Sequence, residues 1–275
     1  MHVTEERTII TRSYSQLSEW AQCGLKYRLH RIDRVERLPA PWLATGLAFH
    51  RTVELYETSG GMPPDAAVDV FIAEFDRELL AIEQRTTYPR HLWLYGGRGG
   101  VEADIERRRA QGPDMIRAYI DATLTSPVEV YELPDGSPAV EVPFVLPLWE
   151  TETAVVRLVG AVDLVYVTRA GSVRVRDHKT GAKEPVGNRQ LGIYGLAVEA
   201  LFGEVVTEGD YYMAKKGAAT PPIPLSGYTP EVMHAEFQAL ETALAEGVFL
   251  ANPGEHCRAC DVKMHCPIFQ MKGPT

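Results

Sequence analysis

Long apolar runs are missing from this sequence of 275 residues. None approaches the roughly 20 residues that a helix needs to cross a bilayer. The start, MHVTEERTIITRSYSQ, has no apolar core preceded by basic residues, so we expect no secretory signal and a cytoplasmic protein. Internal repeats and low-complexity tracts are also missing. With 45% hydrophobic residues the chain can bury a proper core, as one large domain or two small ones.

Basic residues are in the minority. The chain has 28 lysines and arginines against 37 aspartates and glutamates, a formal net charge of −9. This total argues against nucleic-acid binding only if the positions of the charges are ignored. Five basic residues lie from Lys26 to Arg37, against Asp33 and Glu36, and Arg107–Arg109 form a second cluster. Each cluster is either a solvated helix face or a local groove for phosphates.

Hydrophobic spacing predicts helices in the first half of the chain, over 13–33, 42–58, 65–85 and about 101–123. The last of these can continue through Gly112-Pro113 or break there. The glycine-rich stretch 86–100 is predicted to be a loop. The second half predicts a meander of strands, then alternating helices and a strand. These strands are at 128–133, 139–147, 153–168, 172–179 and about 206–214, with helices at about 188–202 and 230–246.

This order of elements predicts an α/β fold, with a central mixed sheet flanked by helices and an N-terminal helical elaboration. We divide the chain into an N-terminal helical region (1–127), a core (128–250) and a C-terminal cysteine region (251–275). The three regions are expected to form one integrated domain.

A carboxylate and an ammonium group share one face of the predicted strand 172–179. Alternation along this strand puts Asp177 and Lys179 on the same side. Asp163 lies in the preceding, otherwise apolar strand, and a short turn makes the two strands antiparallel neighbours. A buried carboxylate needs a partner or a metal, and Mg²⁺ prefers such oxygen ligands. The alternative is structural: Asp163 pairs with Lys179, and Asp177 caps the turn.

Two helical pairs can complete this site. His50 lies four residues after Gly46, one helical turn away on the same face, and glycine permits close approach of another element. Gln190 and Tyr194 are also one turn apart, on the helix that follows the Asp177 strand. Their polar ends can contact a phosphate or position Lys179. Each pair by itself is also compatible with a purely structural role.

The cysteine pattern indicates a metal. The four cysteines are Cys23, Cys257, Cys260 and Cys266. Two thiolates on a Cys-x2-Cys turn, with a third nearby, suit a tetrahedral ion or an iron–sulfur cluster. A disulfide is the weaker interpretation for a chain inside the cell. Zinc is the real competitor, since His256 and His265 lie beside the cysteines, and spacing alone does not separate the two.

Taken together, these positions resemble the PD-(D/E)xK nucleases of the RecB-like branch. The resemblance is to members with an iron–sulfur cluster, such as the AddB nuclease domain and the CRISPR-adaptation-associated exonucleases. The matching positions, from residue 13 to 267, are Gly46 and His50, Gly160 and Asp163, Asp177-His178-Lys179, Gln190 and Tyr194, and the four cysteines. Departures from the pattern are Val162 in place of proline, Asp177 where many relatives have Glu, and Gly24 after Cys23.

The resemblance implies a restriction-endonuclease-like core and a Mg²⁺- or Mn²⁺-dependent DNA exonuclease, with endonuclease or flap activity also open. It assigns the metal to His50, Asp163, Asp177 and the main-chain carbonyl of His178. Lys179 is then catalytic, assisted by Gln190 and Tyr194, and Glu141 corresponds to an extra acid found in some relatives. The four cysteines would hold a structural 4Fe–4S cluster.

The same resemblance suggests a role in DNA replication, recombination or repair, in a bacterium or its phage. The expected partners are DNA with a single-stranded or end-bearing region, and a helicase or recombination protein. The chain has no Gly-x-x-x-x-Gly-Lys-Ser/Thr loop of its own. The alternative function is a catalytically idle iron–sulfur module that binds DNA within a larger recombination assembly.

Overall fold

The structure, a computed structural model, describes residues 7–125 and 128–271. The predicted region boundary at residue 127 lies outside the described residues. Residues 1–6, part of the stretch from which we predict no secretory signal, also lie outside them. The helices are α1 (Tyr14–Gln22), α2 (Gly24–Tyr27), α3 (Pro41–Thr58), α4 (Pro64–Arg85), α5 (Gly100–Thr125), α6 (Arg189–Phe202), α7 (Pro230–Ala245) and α8 (Pro267–Gln270). The strands are β1 (Thr8–Arg12), β2 (Glu129–Val130), β3 (Val140–Glu150), β4 (Ala154–Val167), β5 (Val173–Lys179), β6 (Glu208–Met213), β7 (Ala218–Ala219) and β8 (Ile223–Pro224).

The long strand β4 organises a mixed sheet. It pairs antiparallel with β3 along one side, and with β5 and the parallel strand β1 on the other. β6 then adds parallel to β5. The predicted mixed sheet flanked by helices is confirmed, and the arrangement is consistent with a restriction-endonuclease-like core.

Two apolar cores cover the two faces of the sheet. On one face, β3, β4 and β5 pack with α6 and α7, around residues such as Leu191 and Phe237, both 0% exposed. On the other face, α3, α4 and α5 pack together and meet β6 at Tyr212. The sheet therefore has helices on both faces, and polar side chains that lie within it are removed from water.

The predicted single helix 13–33 is wrong in one respect. α1 ends at Gln22, and Cys23 has an extended backbone with φ of −163° before α2 begins. A Cβ atom on Gly24 would lie 2.9 Å from the main-chain N of Leu250, so glycine is required where the C-terminal segment packs against this break. The chain then continues into a π-helical turn, Arg28–Ile32.

Short strands account for the other differences from the predicted elements. β1, β7 and β8 were not predicted, because strands of two to five residues carry too little alternation to be recognised. The predicted strand 128–133 is reduced to Glu129–Val130 and an isolated bridge at Glu132. The predicted loop 86–100 contains one turn of 3₁₀ helix, Arg90–Leu92.

α5 is continuous through Pro113 and does not break there. Its neighbour Gly112 lies against α4, where a Cβ atom would come within 1.7 Å of the ring of Phe71. Phe71 is 0% exposed and belongs to the core shared by α3, α4 and α5. The glycine therefore sets the close approach of the two helices.

We predict that Gly112→Ala lowers the free energy of unfolding by roughly 1–3 kcal/mol, because the overpacking penalty exceeds the gain in helix propensity. Denaturant melts measure this change. Gln111→Ala, at the exposed neighbouring position of the same helix, is the control and should stay within about 0.5 kcal/mol of wild type. A Gly112→Ala protein as stable as this control would contradict the packing argument.

Candidate active site

The site lies where β4 and β5 separate. Their ladder ends at the pair Leu164–Arg176, so Asp163 and Asp177 stand opposite each other one position further on. The main-chain N–H of His178 donates to Asp163 Oδ2, 2.8 Å away, in place of a ladder bond. The two strands thus bring together two carboxylates that are 5% and 1% exposed.

Lys179 pairs with Asp177 and not with Asp163. Its Nζ lies 2.7 Å from Asp177 Oδ2 and donates to Gln190 Oε1 at 2.9 Å. The ion pair does not have regular hydrogen-bond geometry, and Asp177 Oδ2 is buried without a hydrogen-bond partner. The structural alternative for these acids, with Asp163 bound to Lys179, is therefore not what the fold adopts.

Helix α6 links the two acids through side chains one turn apart. Gln190 donates from Nε2 to the hydroxyl of Tyr194 at 3.0 Å, and that hydroxyl donates to Asp163 Oδ1 at 2.8 Å. Together with the bond from Lys179 to Gln190, these contacts form a continuous chain from Asp177 to Asp163. Spacing alone predicted that Gln190 and Tyr194 share a face, and the structure places that face over the two strand ends.

His50 reaches the same acids from α3. Its Nδ1 lies 3.0 Å from Glu141 Oε1 and 3.5 Å from Asp163 Oδ2, and its Nε2 lies 3.1 Å from the carbonyl oxygen of His178. The hydrogen-bond partners of both ring nitrogens are acceptors only, so both nitrogens must donate and the ring is an imidazolium. Gly46, one turn earlier, lies near Thr180 at the end of β5, but a Cβ there would make only ordinary contact with Thr180 Oγ1 at 3.8 Å, so the predicted need for glycine is not what sets this approach.

The pKa of His50 agrees with this charge state. Burial by itself lowers it, but the hydrogen bond to Glu141 and the charges of Asp163 and Asp177 outweigh burial and raise the pKa to about 9. The imidazolium therefore occupies the place of a cation among the acids.

In the two aspartates, burial favours the neutral form and raises the pKa. Burial raises the pKa of Asp163, although the positive charge of His50 lowers it, and burial together with the charge of Asp163 raises the pKa of Asp177 to about 7, although Lys179 lowers it. Two carboxylates that resist ionisation side by side are stabilised by a divalent cation between them.

Glu141, which the resemblance suggested as an extra acid, lies beside His50 in the structure. It lies between two residues of β3 that pair with Val162 and Leu164, and so it faces Asp163 across the sheet. Its backbone has φ of +49°, a left-handed conformation that is rare outside glycine and concentrated at functional sites. An acid in a strand opposite Asp163 was the available signal, but the register of β3 was needed to use it.

The main-chain carbonyl of His178 faces His50, whereas its ring packs among aromatic side chains. The ring is buried against Phe49, Tyr119 and Tyr212, with centroids 5.6 to 6.2 Å apart. Burial, with the charge of His50, holds the pKa of this ring well below its usual value, so it is neutral. Its Nδ1 lies 3.9 Å from Asp163 Oδ2, and His50, Asp163 and His178 form a potential three-ligand group. The carbonyl oxygen, next to His50 Nε2, is the harder donor.

Three of the four cysteines line one small cavity where the two ends of the chain meet. Cys23, which follows α1, lines this cavity of about 40 Å³ together with Cys257 and Cys266, and Cys260 does not. All four cysteines are free thiols, so the disulfide interpretation is not what the structure shows. Main-chain N–H groups donate to two of the sulfurs, from Asn252 to Cys23 at 3.5 Å and from Gly254 to Cys257 at 3.4 Å.

This fold and this site define a nuclease that uses a metal. The family model of the PD-(D/E)XK nuclease superfamily matches residues 11–267, nearly the whole chain. The chain therefore belongs to the PD-(D/E)XK nuclease superfamily, whose activity class is metal-dependent cleavage of DNA.

Two curated phage proteins are similar along their whole lengths. The Gene 69 protein of Mycobacterium phage D29 is 37% identical over 271 residues, which cover 94% of this chain and 97% of that protein. The Gene 69 protein of Mycobacterium phage L5 is 32% identical over 299 residues, covering 98% and 100%. Among solved structures, the crystal structure of SSO0001 aligns with 93% of this chain and 95% of its own at 16% identity, with a TM-score of 0.35, a similarity too weak to assign a fold.

None of the helices within residues 7–125 and 128–271 is long and apolar enough to cross a membrane.

We predict that binding of Mn²⁺ displaces a proton from the imidazolium of His50. A ring nitrogen that binds a metal must lose its proton, so the affinity for Mn²⁺ should rise as the pH increases from about 7.5, where Asp177 is already ionised, towards 9, by up to about tenfold per pH unit. Calorimetry in two buffers of different ionisation enthalpy should count about one released proton at pH 8.

His50→Asn is the matched variant, since it keeps a polar group but cannot carry the proton. It should bind Mn²⁺ more weakly and without that released proton. Equal proton release by His50→Asn and wild type would show that the imidazolium is not what the cation replaces.

Proposed function

We propose that this protein is a Mg²⁺- or Mn²⁺-dependent DNA exonuclease of the RecB-like branch, which hydrolyses phosphodiester bonds. One observation carries the proposal: two buried carboxylates, Asp163 and Asp177, stand opposite each other at the end of adjacent strands, with Lys179 paired beside them. Desolvating this arrangement is costly without a cation, and a purely structural role would not require it.

The donors fit a hard divalent cation. Asp163 and Asp177 supply carboxylate oxygens, the main chain at His178 a carbonyl oxygen, and His50 an imidazole nitrogen. Asp177 Oδ2, buried and lacking a regular hydrogen bond, has a lone pair to offer. When bound there, such a cation supplies polarisation of the scissile phosphate and a lower pKa for an attacking water.

The protein's own groups divide the remaining tasks. Lys179 has 29% of its side chain exposed, so its ammonium group can reach a substrate, where it can hold the attacking water or offset charge on the phosphate. Gln190 holds the ammonium group at 2.9 Å, and Tyr194 fixes Asp163 at 2.8 Å. We assign both of them as positioning residues.

We further propose that Cys23, Cys257, Cys260 and Cys266 hold a structural 4Fe–4S cluster. Main-chain N–H groups directed at sulfur, as at Cys23 and Cys257, stabilise thiolate ligands. Three of these cysteines, Cys23, Cys257 and Cys266, line one small cavity. The cluster would join the break after α1 to the C-terminal region.

The phage origin of both relatives supports a phage-encoded enzyme that acts on DNA inside an infected bacterium. Processing of DNA ends during replication, recombination or repair is the process that we propose. Without a nucleotide-binding loop of its own, the chain would depend on a separate helicase or recombination protein to expose a single strand.

We predict that Lys179→Ala reduces DNA digestion by roughly 10²–10³-fold while divalent cations still bind, because the ammonium group acts on the reacting phosphate or water. Release of nucleotides from a labelled linear oligonucleotide in Mg²⁺ or Mn²⁺ measures the rate. A covalently closed single-stranded circle tests the exonuclease assignment, since it offers no end and should stay intact.

Lys216→Ala is the matched control, because it removes a surface lysine that pairs only with Glu184. It should digest DNA at close to the wild-type rate. If Lys179→Ala digests DNA as fast as this control, the proposed mechanism fails, and if wild type retains DNA but never cleaves it, the idle binding module is the correct alternative.

We predict that the protein purified without oxygen contains about four iron atoms and shows broad visible absorption, which zinc with its filled d shell cannot give. Cys260→Ser should lose both iron and thermal stability. His256→Ala is the control that separates the metals, since His256 Nε2 is buried without a hydrogen-bond partner and is the nitrogen available to zinc. A colourless zinc protein whose metal is lost in His256→Ala would overturn the cluster.

A further inference from the structure

A basic groove lies beside the start of α3, away from the acids of the active site. Its volume is about 490 Å³, and it runs between the segment that precedes α3 and the end of α4. The charged side chains that line it are three arginines and one glutamate: Arg34, Arg37, Arg85 and Glu36. The groove is therefore positive in a protein whose net charge is −9.

Two of these arginines are available to a ligand. Within the described ranges, Arg34 and Arg85 have no carboxylate within 4.0 Å, and both are exposed. Arg37, in contrast, is held by Asp261 at 2.6 Å, and the carboxylate of Glu36 accepts hydrogen bonds from Thr86 and Thr87. The charge of Arg37 is therefore balanced by Asp261, and the arginines Arg34 and Arg85 together outweigh the single negative charge of Glu36.

The wall of the groove is held in a defined shape. Arg34 has a backbone φ of +53°, an uncommon conformation outside glycine. Leu38 N–H donates to the main-chain oxygen of Asp261 at 2.7 Å, which ties the segment to the cysteine-rich C-terminal region. A conformation of this kind persists only where surrounding contacts impose it, so Arg34 is presented to the groove by a fixed backbone.

An apolar stripe on α3 leads from the groove to the active site. Leu43 lines the groove and is 43% exposed, and Leu47, one turn later, is 54% exposed. His50 follows at a spacing of seven residues from Leu43, which returns to the same face of the helix about 10 Å further along. Unpaired cations, exposed leucines and a metal-site histidine therefore lie in one line.

We propose that this line is the binding path for one single strand of DNA, with phosphates on Arg34 and Arg85 and bases against Leu43 and Leu47, leading to the bond cleaved beside His50. The proposal rests on the proposed nuclease function and names the form of its substrate. A polyanion complements the free arginines. The exposed leucines can pack against the apolar faces of bases. A single strand exposes these faces, whereas a stacked duplex does not.

The test measures binding separately from cleavage, with full-length metal-loaded protein in the Lys179→Ala background. Fluorescence anisotropy of an oligo(dT) strand at several salt concentrations gives the affinity and its salt dependence. Arg34→Asn combined with Arg85→Gln should weaken binding by roughly tenfold or more and lower the log–log salt slope by about 1.4, for two lost phosphate contacts. Asn is used at position 34 because it tolerates the left-handed backbone.

Matched controls separate the groove from general charge and hydrophobicity. Arg169→Gln removes an exposed arginine in the β4–β5 turn, outside the groove, which has no acidic partner among residues 7–125 and 128–271, and it should leave affinity unchanged. Leu43→Glu should weaken binding, whereas Leu80→Glu, at a similarly exposed leucine of α4 that does not line the groove, should not. A duplex oligonucleotide should bind more weakly than the single strand.

A small phosphodiester, the p-nitrophenyl ester of thymidine 5′-monophosphate, is too short to reach the groove. It therefore tests the proposed nuclease function separately from the proposed DNA path. Without the Lys179 change, the groove variants should hydrolyse it at the wild-type rate while digesting DNA slowly. If wild type hydrolyses neither this ester nor DNA, the proposed nuclease function fails, independently of the binding result. If the double arginine variant binds oligo(dT) with unchanged affinity and salt slope, the path is overturned.

Discussion

Two carboxylates removed from water and facing each other across neighbouring strands are the feature on which the rest of this molecule depends. Asp163 and Asp177 together carry a charge that burial disfavours, and the surrounding residues respond to it. Lys179 pairs with one acid, and the imidazolium of His50 lies beside the other. The site is therefore arranged for positive charge before a metal binds, and its own cationic groups occupy part of that role.

The scaffold explains how such a site can be held. β4 and β5 are covered by α6 on one face and by the packed helices α3, α4 and α5 on the other, so the strand ends are rigid while their polar groups meet in the gap. α3 and α6 each contribute side chains at one-turn spacing. Sites built on regular elements of this kind keep their geometry better than sites on loops.

Both ends of the chain pack against this sheet and its helices. β1 pairs with β4, and Arg12 forms an ion pair with Glu241 of α7, which joins the N-terminal strand to a late helix. The C-terminal cysteine region lies against the break after α1, and Asp261 supports the wall of the basic groove. The cysteine region therefore joins the two ends of the chain beside the basic groove.

Much of this follows from local patterns in the sequence. A period of two placed Asp177 and Lys179 on one side of a strand, and a period near four placed His50 above Gly46 and Gln190 beside Tyr194, because these spacings are properties of the backbone itself. Long-range properties did not follow from these local patterns. They do not predict that the β4–β5 ladder ends at Leu164, or that Lys179 pairs with Asp177 and not with Asp163. They also do not predict the contact of Glu141 with His50 or the helix break at Cys23. Each depends on register or on close packing between segments far apart in the chain, which local spacing does not encode.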